Sequence, residues 1–215
     1  MLSGKAIEQA VKDQKYFAEI KSNPVSYPLY PRQLADAENK PRIVIDPFDP
    51  KRVNPNSYNL RLADKLLCYS LDADKEDPDH GPLILDMAKD NPTYEVLIPE
   101  EGVVLLPGRL YLGSTMEWTE TYNLVPKVDG RSSVARLGLV VHLTAGFGDI
   151  NYQGTFTLEI VVVHPIRVYA GVELCQISYE PVQGEIGKTY EGKYQWSTEA
   201  KASGLHKEFP QGEIK

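Results

Sequence analysis

Two short stretches of the sequence carry side chains that could hold an anion and transfer a proton. The first is DGRSSVARLG (129–138), where a glycine and two hydroxyls precede a segment that can form one or two helical turns. The first N–H groups of such a turn are unpaired and attract anions, and Ser132 and Ser133 would add hydroxyl donors. Ser132 and Arg136 would share a helix face, so a hydroxyl and a guanidinium could contact one ligand. A serine-capped helix with a surface arginine explains the same residues without a ligand.

The second stretch, TFTLEIVVV (155–163), has the alternation of a β-strand and contains one carboxylate. One face of the strand would carry Phe156, Leu158, Ile160 and Val162, and the other Thr155, Thr157, Glu159 and Val161. Glu159 therefore leaves the core face but stays among valines, where a carboxylate is costly to bury without a partner. Such a glutamate suits a role in which a proton is accepted and then returned. The alternative is a glutamate in a salt bridge across the sheet.

Between the two stretches lies HLTAGFGDINYQG (142–154), a strand end followed by a turn-rich loop. A sugar could stack on Tyr152 while Asp149 accepts its 3'-hydroxyl, and a β-hairpin with an Asx-type turn is compatible with the same residues. His142 and Asp149 could also form a hydrolytic triad with one of the serines. The absence of a GxSxG elbow disfavours that interpretation.

Composition restricts the partners and the metal chemistry. The net charge of -7 provides no basic surface for a nucleic-acid polymer, so we expect a small phosphorylated ligand. No apolar run approaches the roughly 20 residues that span a bilayer, and the first residues lack a secretory signal, which predicts a cytoplasmic protein without membrane contact. Cys68 and Cys175 are predicted to be buried free thiols. The HxE and PCxxC signature of zinc-dependent base deaminases is absent, so a deaminase with this sequence would activate water with a carboxylate alone.

The elements that must position these residues are mostly short strands. Residues 3–18 have helical spacing, and the proline-rich segment 22–42 predicts a loop or extended arm. Runs rich in β-branched and aromatic residues then recur between turn signals, which predicts an all-β barrel or jelly roll. These runs are 43–45, 57–63, 65–71, 94–98, 102–107, 109–118, 137–145, 155–163, 166–170 and 173–182.

Three regions follow from this pattern. Residues 1–42 are predicted to form a helix and an arm, 43–184 the β domain, and 185–215 a mobile polar tail. Within the β domain, the acidic stretch 72–82 is predicted to be a solvated loop. We therefore expect one compact domain with extensions at both ends.

In combination these motifs resemble those of the dCTP deaminases of the trimeric dUTPase superfamily. The similar segments are IVIDPFDPKRVNPNSYNLRLA (43–63), LLPGRLYLGSTMEW (105–118), KVDGRSSVARLGLVVHLTAGFGD (127–149), GTFTLEI (154–160), LCQISYEPV (174–182) and TYEGKYQ (189–195). The resemblance implies a distorted β-barrel or jelly-roll subunit with a short N-terminal helix. It also implies a homotrimer with active sites at the subunit boundaries.

The resemblance also implies a role for individual residues. Catalysis would fall to Glu159, which activates the water that attacks C4 of cytosine, with Arg136 supporting the reacting centre and Ser132, also counted as catalytic, holding phosphate. The substrate-binding residues would be Arg131 and Ser133 at the phosphates, Ala145 at the water through its backbone, Asp149 at the deoxyribose, Thr157 and Leu158 beside the base, and Gln176, Tyr190 and Lys193 at further nucleotide contacts. The tail would close over the nucleotide. Magnesium would arrive with the triphosphate and no zinc would be needed.

The sequence departs from the family pattern in three places, one of which is the segment 22–42, longer than the family's usual compact N-terminus. Trp196, Ser197 and Thr198 follow KYQ, where the family has a glycine–glutamine pair and another glycine. Gly148 stands where a larger apolar residue is expected, and Ile150–Asn151 replaces a Pro-Gly or Ala-Gly pair. The last two departures affect the tail and the loop that would surround the base and sugar.

The resemblance predicts hydrolytic deamination of dCTP to dUTP and ammonia, which supplies dUMP and dTTP synthesis. Three alternatives remain open. The first is a bifunctional enzyme that continues to dUMP and pyrophosphate, because TAGF (144–147) resembles bifunctional members. The second is a dUTP diphosphatase that uses Asp149, and the third is a non-catalytic nucleotide-binding module.

Overall fold

A computed structural model describes residues 1–12, 41–70 and 84–209. Within these residues the chain is mainly β. The helices are α1 (Gly4–Lys12) and α2 (Ser132–Ala135), with single 3-10 turns at Pro50–Arg52 and Leu205–Glu208. The strands are β1 (Ile43–Asp46), β2 (Tyr58–Tyr69), β3 (Thr93–Leu97), β4 (Val103–Leu105), β5 (Tyr111–Thr115), β6 (Trp118–Thr121), β7 (Leu124–Gly130), β8 (Leu139–Val141), β9 (Gln153–Gly154), β10 (Thr157–Val162), β11 (Ile166–Val168) and β12 (Glu173–Pro181).

The strands form one large curved sheet and two small ones. In the large sheet the order is β7-β12-β2-β5-β10-β8, and β3 pairs with β2 outside this path. The small sheets are β1-β6-β9 and β11-β4. Every pairing is antiparallel. The prediction of a mainly β, distorted barrel with a short N-terminal helix is confirmed.

Alternation along the strands fills the core. On β10, Leu158 and Ile160 are fully buried, whereas Glu159 between them is only partly covered, as the two-residue period predicts. Helix α1 adds Ile7 to the same core. Its first residue, Gly4, lies so close to the chain that an added Cβ would be 1.9 Å from the carbonyl oxygen of Asn54. A side chain at this position would therefore displace the helix from the barrel.

Several predicted strand boundaries are wrong for identifiable reasons. The runs 57–63 and 65–71 are parts of one strand, β2, and the run 109–118 is divided between β5 and β6. Strand β7 was missed because it contains Pro126, which lacks an N–H donor and is unusual inside a sheet. Pro126 is tolerated because β7 is the terminal strand of the large sheet. The short strand β9 gives too little pattern to be recognised.

The tail segment 185–209, predicted to be mobile, is bonded to the barrel. The N–H of Trp196 donates to the Gln153 carbonyl at 2.8 Å, and the N–H of Thr155 donates to the Ser197 carbonyl at 2.8 Å. The side chain of Gln195 accepts from the Gln153 N–H at 3.0 Å and donates to the Asn151 carbonyl at 2.6 Å. The tail therefore runs along β9 as an added strand would.

Two tryptophan rings lie beside this line of hydrogen bonds between the tail and β9. Trp196 adopts a left-handed backbone conformation with φ of 66°. This conformation suits the glycine expected from the family pattern and is unfavourable for a large side chain. The Trp196 ring stacks on Trp118 of β6, with ring centroids 6.2 Å apart. The stacked pair gives the unusual backbone a packing partner.

Three sequence predictions lie wholly or partly outside the described residues: the second half of the N-terminal helix, the proline-rich arm and the acidic loop. Both cysteines are buried free thiols, as predicted. No helix within the described ranges is long and apolar enough to cross a membrane.

Candidate functional site

Strands β8 and β10 place Glu159 directly opposite His142. In the antiparallel register Val141 pairs with Ile160, and the ladder continues for one more rung because the His142 N–H donates to the Glu159 carbonyl at 3.0 Å. On the same rung Nδ1 of His142 lies 2.7 Å from Oε2 of Glu159. The Glu159 side chain is 29% exposed and that of His142 only 5%. We call this pair, with the strand segments that carry it, the strand wall.

The loop after His142 is fastened to the edge strand β7. The Val128 N–H donates to the Gly146 carbonyl at 2.7 Å, and the Gly148 N–H donates to the Pro126 carbonyl at 2.8 Å. A Cβ at Gly148 would lie 2.8 Å from Cγ of Pro126. This contact explains why the chain has a glycine where the family pattern has a larger residue. The loop delivers Ala145 and Asp149 to the same side as the strand wall.

A cavity of about 490 Å³ opens in front of the strand wall. Five predicted site residues line it: Ala145, Asp149, Thr157, Glu159 and Tyr190. Its other walls include Tyr69, Leu112, Tyr152, Phe156, Tyr194 and Lys201. The cavity therefore combines two carboxylates with aromatic and aliphatic surface, and its volume suits a small organic ligand.

Tyr152 is fixed as a hydrophobic part of this cavity. Its hydroxyl donates to the Thr155 carbonyl at 2.6 Å, and burial raises the pKa of the phenol. Its ring packs against Phe156 at 4.8 Å and Tyr190 at 5.9 Å between centroids. Tyr152 thus offers ring surface for stacking while its hydroxyl remains neutral and engaged.

The tail completes the cavity on one side. The Lys201 N–H donates to Oγ1 of Thr157 at 3.0 Å, and the Ser203 N–H donates to the Tyr69 hydroxyl at 3.0 Å. Both hydroxyls belong to cavity-lining residues. Tail and barrel are therefore hydrogen-bonded at the site itself.

The predicted site residues of the segment 131–136 do not line this cavity. Ser132, Ser133 and Arg136 are exposed on α2 and at its end, and we call this segment, 132–136, the α2 turn. Arg131 donates to the Glu173 carbonyl at 2.6 Å and pairs with the Glu173 carboxylate at 3.3 Å. The arginine predicted to bind phosphate is thus engaged within its own chain.

Gln176, Leu158 and Lys193 also lie outside the cavity lining. Gln176 accepts from the Ser57 hydroxyl at 2.7 Å and donates to a backbone carbonyl of β7. The Leu158 side chain is in the core, so any contact with a ligand would be through its backbone. Lys193 pairs with Glu208, and that hydrogen bond raises the pKa of the lysine.

Apolar side chains surround the α2 turn on the surface. Leu137 is 62% exposed and Val163 is 65% exposed, and Val140 and Leu143 are also exposed. Val163 lies beside the residue that follows Leu137, because its N–H donates to the Gly138 carbonyl at 2.8 Å. Neighbouring exposed aliphatic groups are typical of a face that another protein covers. The strand wall has its partners within the chain, whereas the α2 turn has solvent-facing neighbours.

Within the described parts of the chain, no three His, Cys, Asp or Glu side chains form a group that could hold a metal ion. The cavity carboxylates of Glu159 and Asp149 belong to separate segments, one on β10 and one in the loop.

Comparison with known proteins identifies the relatives of this chain. A family model described as dCTP deaminase-like matches residues 29–182. The chain belongs to the dCTP deaminase-like family. The motif resemblance described above therefore reflects family membership over most of the β domain.

Two curated members of the family are similar over nearly their whole length. A protein of Leptospira biflexa serovar Patoc named "dCTP deaminase, dUMP-forming" is 54% identical over 167 residues, which cover 78% of this chain and 90% of that protein. A protein of Clostridium acetobutylicum with the same name is 50% identical over 178 residues, covering 83% and 96%.

A solved structure supports the fold. The crystal structure of 2'-deoxycytidine 5'-triphosphate deaminase from Agrobacterium tumefaciens aligns with a TM-score of 0.52 and 21% identity. The alignment covers 84% of this chain and 47% of that chain.

His142 is the residue of this dCTP deaminase-like site whose role sequence reasoning missed. The sequence pattern suggested His142 only as a member of a hydrolytic triad with the serines, and the structure pairs it with Glu159 instead. No signal in the sequence indicated this contact, because the two strand ends do not determine which residue of β10 faces His142, and only the register of β8 and β10 does.

Proposed function

We propose that this enzyme converts dCTP to dUMP, ammonia and pyrophosphate by two hydrolytic steps in the cavity described above. The observation that carries the proposal is the presence of two separately held carboxylates, Glu159 and Asp149, in the lining of one cavity. The names of the relatives, which include the words "dUMP-forming", support the same product.

The first step is deamination at Glu159. Water gives its oxygen to C4 of cytosine, one proton to ring N3 and the other to the amino nitrogen. The C4–N bond breaks and its electron pair leaves with ammonia. Glu159 takes a proton from the attacking water and passes it on, so the carboxylate ends the step as it began. The backbone of Ala145, which also lines the cavity, can hold the water for attack.

The second step is hydrolysis of the triphosphate at Asp149. A second water, deprotonated by Asp149, bonds to the α-phosphorus, and the bond from that phosphorus to the bridging oxygen breaks to release pyrophosphate. We expect the substrate to be the magnesium complex of the nucleotide, because Mg²⁺ prefers phosphate oxygens and waters to all-protein cages. The exposed Asp149 carboxylate fits this arrangement, since it can accept a hydrogen bond from a water of the ion.

The proposed assembly is a homotrimer in which the α2 turn of one copy meets the cavity of its neighbour. Exposed apolar residues around the turn, Leu137 and Val163 among them, support burial against another copy. Ser132, Ser133 and Arg136 would then reach the nucleotide from the neighbouring copy. This arrangement accounts for predicted catalytic residues that do not line the cavity of their own chain.

Product analysis tests the proposal. The purified protein is incubated with dCTP and Mg²⁺, and ammonia, nucleotide products and pyrophosphate are quantified over time. We expect ammonia, dUMP and pyrophosphate in equal amounts. Accumulation of dUTP with ammonia would reduce the function to deamination alone, and pyrophosphate from dUTP without ammonia from dCTP would contradict it.

The same assay tests the absence of zinc chemistry. We expect 1,10-phenanthroline, which removes zinc, to leave ammonia release unchanged. Loss of ammonia release that added zinc restores would contradict a deamination driven by the carboxylate alone. Absence of any turnover with either nucleotide would favour a binding module.

A further inference from the structure

His142 is held in an unusual backbone conformation next to Glu159. Its φ is 56°, in the left-handed region that non-glycine residues seldom adopt, although histidine, asparagine and aspartate do so more often than others. Its N–H still completes the ladder to the Glu159 carbonyl, so the chain turns away from β8 immediately after this rung. The conformation keeps the imidazole against the carboxylate while the loop leaves toward Asp149.

The hydrogen bonds around the imidazole determine where its proton resides. Nδ1 lies 2.7 Å from Oε2 of Glu159, whereas Nε2 is buried and has no hydrogen-bond partner among the described residues. A buried N–H without an acceptor is costly, so a proton on Nε2 is disfavoured. The arrangement fits a neutral ring that carries its proton on Nδ1 and donates it to Glu159.

We propose that His142 is a positioning residue for deamination, which fixes Oε2 of Glu159 through the Nδ1–H bond so that Oε1 is presented to the attacking water. This inference rests on the proposed role of Glu159. A carboxylate that is free to rotate exchanges its two oxygens, whereas one that is tethered at Oε2 keeps a single oxygen in the line of proton transfer. A small displacement of the catalytic carboxylate lowers the rate of the chemical step more than it lowers the affinity for the substrate.

Three substitutions separate this role from backbone strain. His142→Gly removes the imidazole and accepts the left-handed conformation without strain. His142→Asn also tolerates that conformation and carries an amide N–H at the position of Nδ1. His142→Gln carries the same amide one carbon further out, where it cannot take the Nδ1 position.

We expect His142→Gly to lower kcat for ammonia release about 100-fold with KM changed by less than about threefold. His142→Asn should recover kcat to within about tenfold of the parent, because it restores a donor to Oε2, and His142→Gln should remain close to His142→Gly. The inference is overturned if the glycine variant keeps parental kcat, or if the asparagine and glutamine variants are equally slow. A purely structural role predicts the second result, provided that the variants elute as the parent does.

A second measurement does not depend on turnover. In ¹⁵N–¹H spectra of the parent, assigned by the loss of one imidazole in His142→Asn, we expect the His142 ring to carry a proton at Nδ1. Replacement of Glu159 by Gln should shift the resonances of this ring. A proton on Nε2 instead would exclude donation from Nδ1 to Glu159 and overturn the inference. If the parent released no ammonia from dCTP, the proposed function would fail while this spectrum would still decide the contact.

Discussion

The strand wall and the α2 turn carry the two halves of the predicted chemistry, and they differ in how their side chains are fixed. Glu159 and His142 lie opposite each other on one hydrogen-bonded rung, and each has the other as a partner. Ser132 is exposed on a four-residue helix and Arg136 at its end, and exposed apolar residues lie nearby. The difference teaches that the chain itself holds the carboxylate that we propose as the acid/base group, whereas the polar side chains of the α2 turn have no comparable partners among the described residues.

The largest effect is expected at the strand wall. Glu159→Gln removes the side chain assigned to water activation in the deamination step, while it preserves size and hydrogen bonding. We expect kcat for ammonia release to fall about 1,000-fold or more. The matched control is Glu180→Gln, a change to an exposed carboxylate on β12 that should have no effect. Equal turnover by Glu159→Gln and the parent would remove the strand wall from the chemistry.

The next effect tests whether the two regions act across subunits. Arg136→Ala should lower kcat about 100-fold when all copies carry it, because charge stabilisation at the reacting centre is lost. If Glu159 and Arg136 of neighbouring copies form each site, randomly mixed trimers of Glu159→Gln and Arg136→Ala chains regain about a quarter of the parental activity.

This complementation is measured after the two variants are unfolded and refolded together, with each variant refolded alone as the control. Recovery in the mixture alone supports a shared site. A mixture that is as inactive as its components would show that Arg136 and Glu159 of one chain act together.

A smaller effect is expected from the apolar surface beside the α2 turn. Leu137→Asp places a charge where we propose contact between copies, so trimers should dissociate at micromolar concentration and activity should fall about tenfold on dilution. Met87→Asp changes a similarly exposed residue that lies elsewhere and should leave the sedimentation coefficient unchanged. An intact trimer of Leu137→Asp in analytical ultracentrifugation would place the interface on another face.

The smallest effect is expected in the tail, which is hydrogen-bonded to the barrel beside the cavity. Gln195→Ala removes two hydrogen bonds to the Asn151–Gln153 backbone, and we expect KM for dCTP to rise about fivefold with little change in kcat. Gln183→Ala, in an exposed position before the tail, is the control for the loss of a glutamine. An unchanged KM would mean that the tail does not contribute to nucleotide binding.

The sequence predicted the strand wall better than its surroundings. The two-residue period of 155–163 placed Glu159 off the core face correctly, because the pattern depends only on local geometry. The same pattern could not reveal its partner, since His142 reaches Glu159 through the register of two strands. Strand β7 was missed because a proline such as Pro126 usually indicates the end of a strand. The proline is tolerated only because β7 is an edge strand of the sheet.

Family resemblance supplied the residues of the α2 turn but not their place. The prediction of the family is confirmed, whereas the nucleotide contacts of Arg131, Gln176 and Lys193 stay predictions. In the structure each of these side chains is bonded within the chain, to Glu173, to Ser57 and to Glu208 respectively. A motif can suggest a role for a residue, but it does not show whether the side chain is already bonded to another residue of the chain. That depends on the three-dimensional structure.

The stack of Trp118 and Trp196 also gives the molecule a native optical reporter. These are the only two tryptophans of the chain, and one belongs to the barrel and the other to the tail. All tryptophan emission therefore originates at the seam between them, without background from the rest of the fold. Detachment of the tail from β9 would be visible in the intrinsic fluorescence of the unlabelled protein, on the timescale of a stopped-flow mixing experiment.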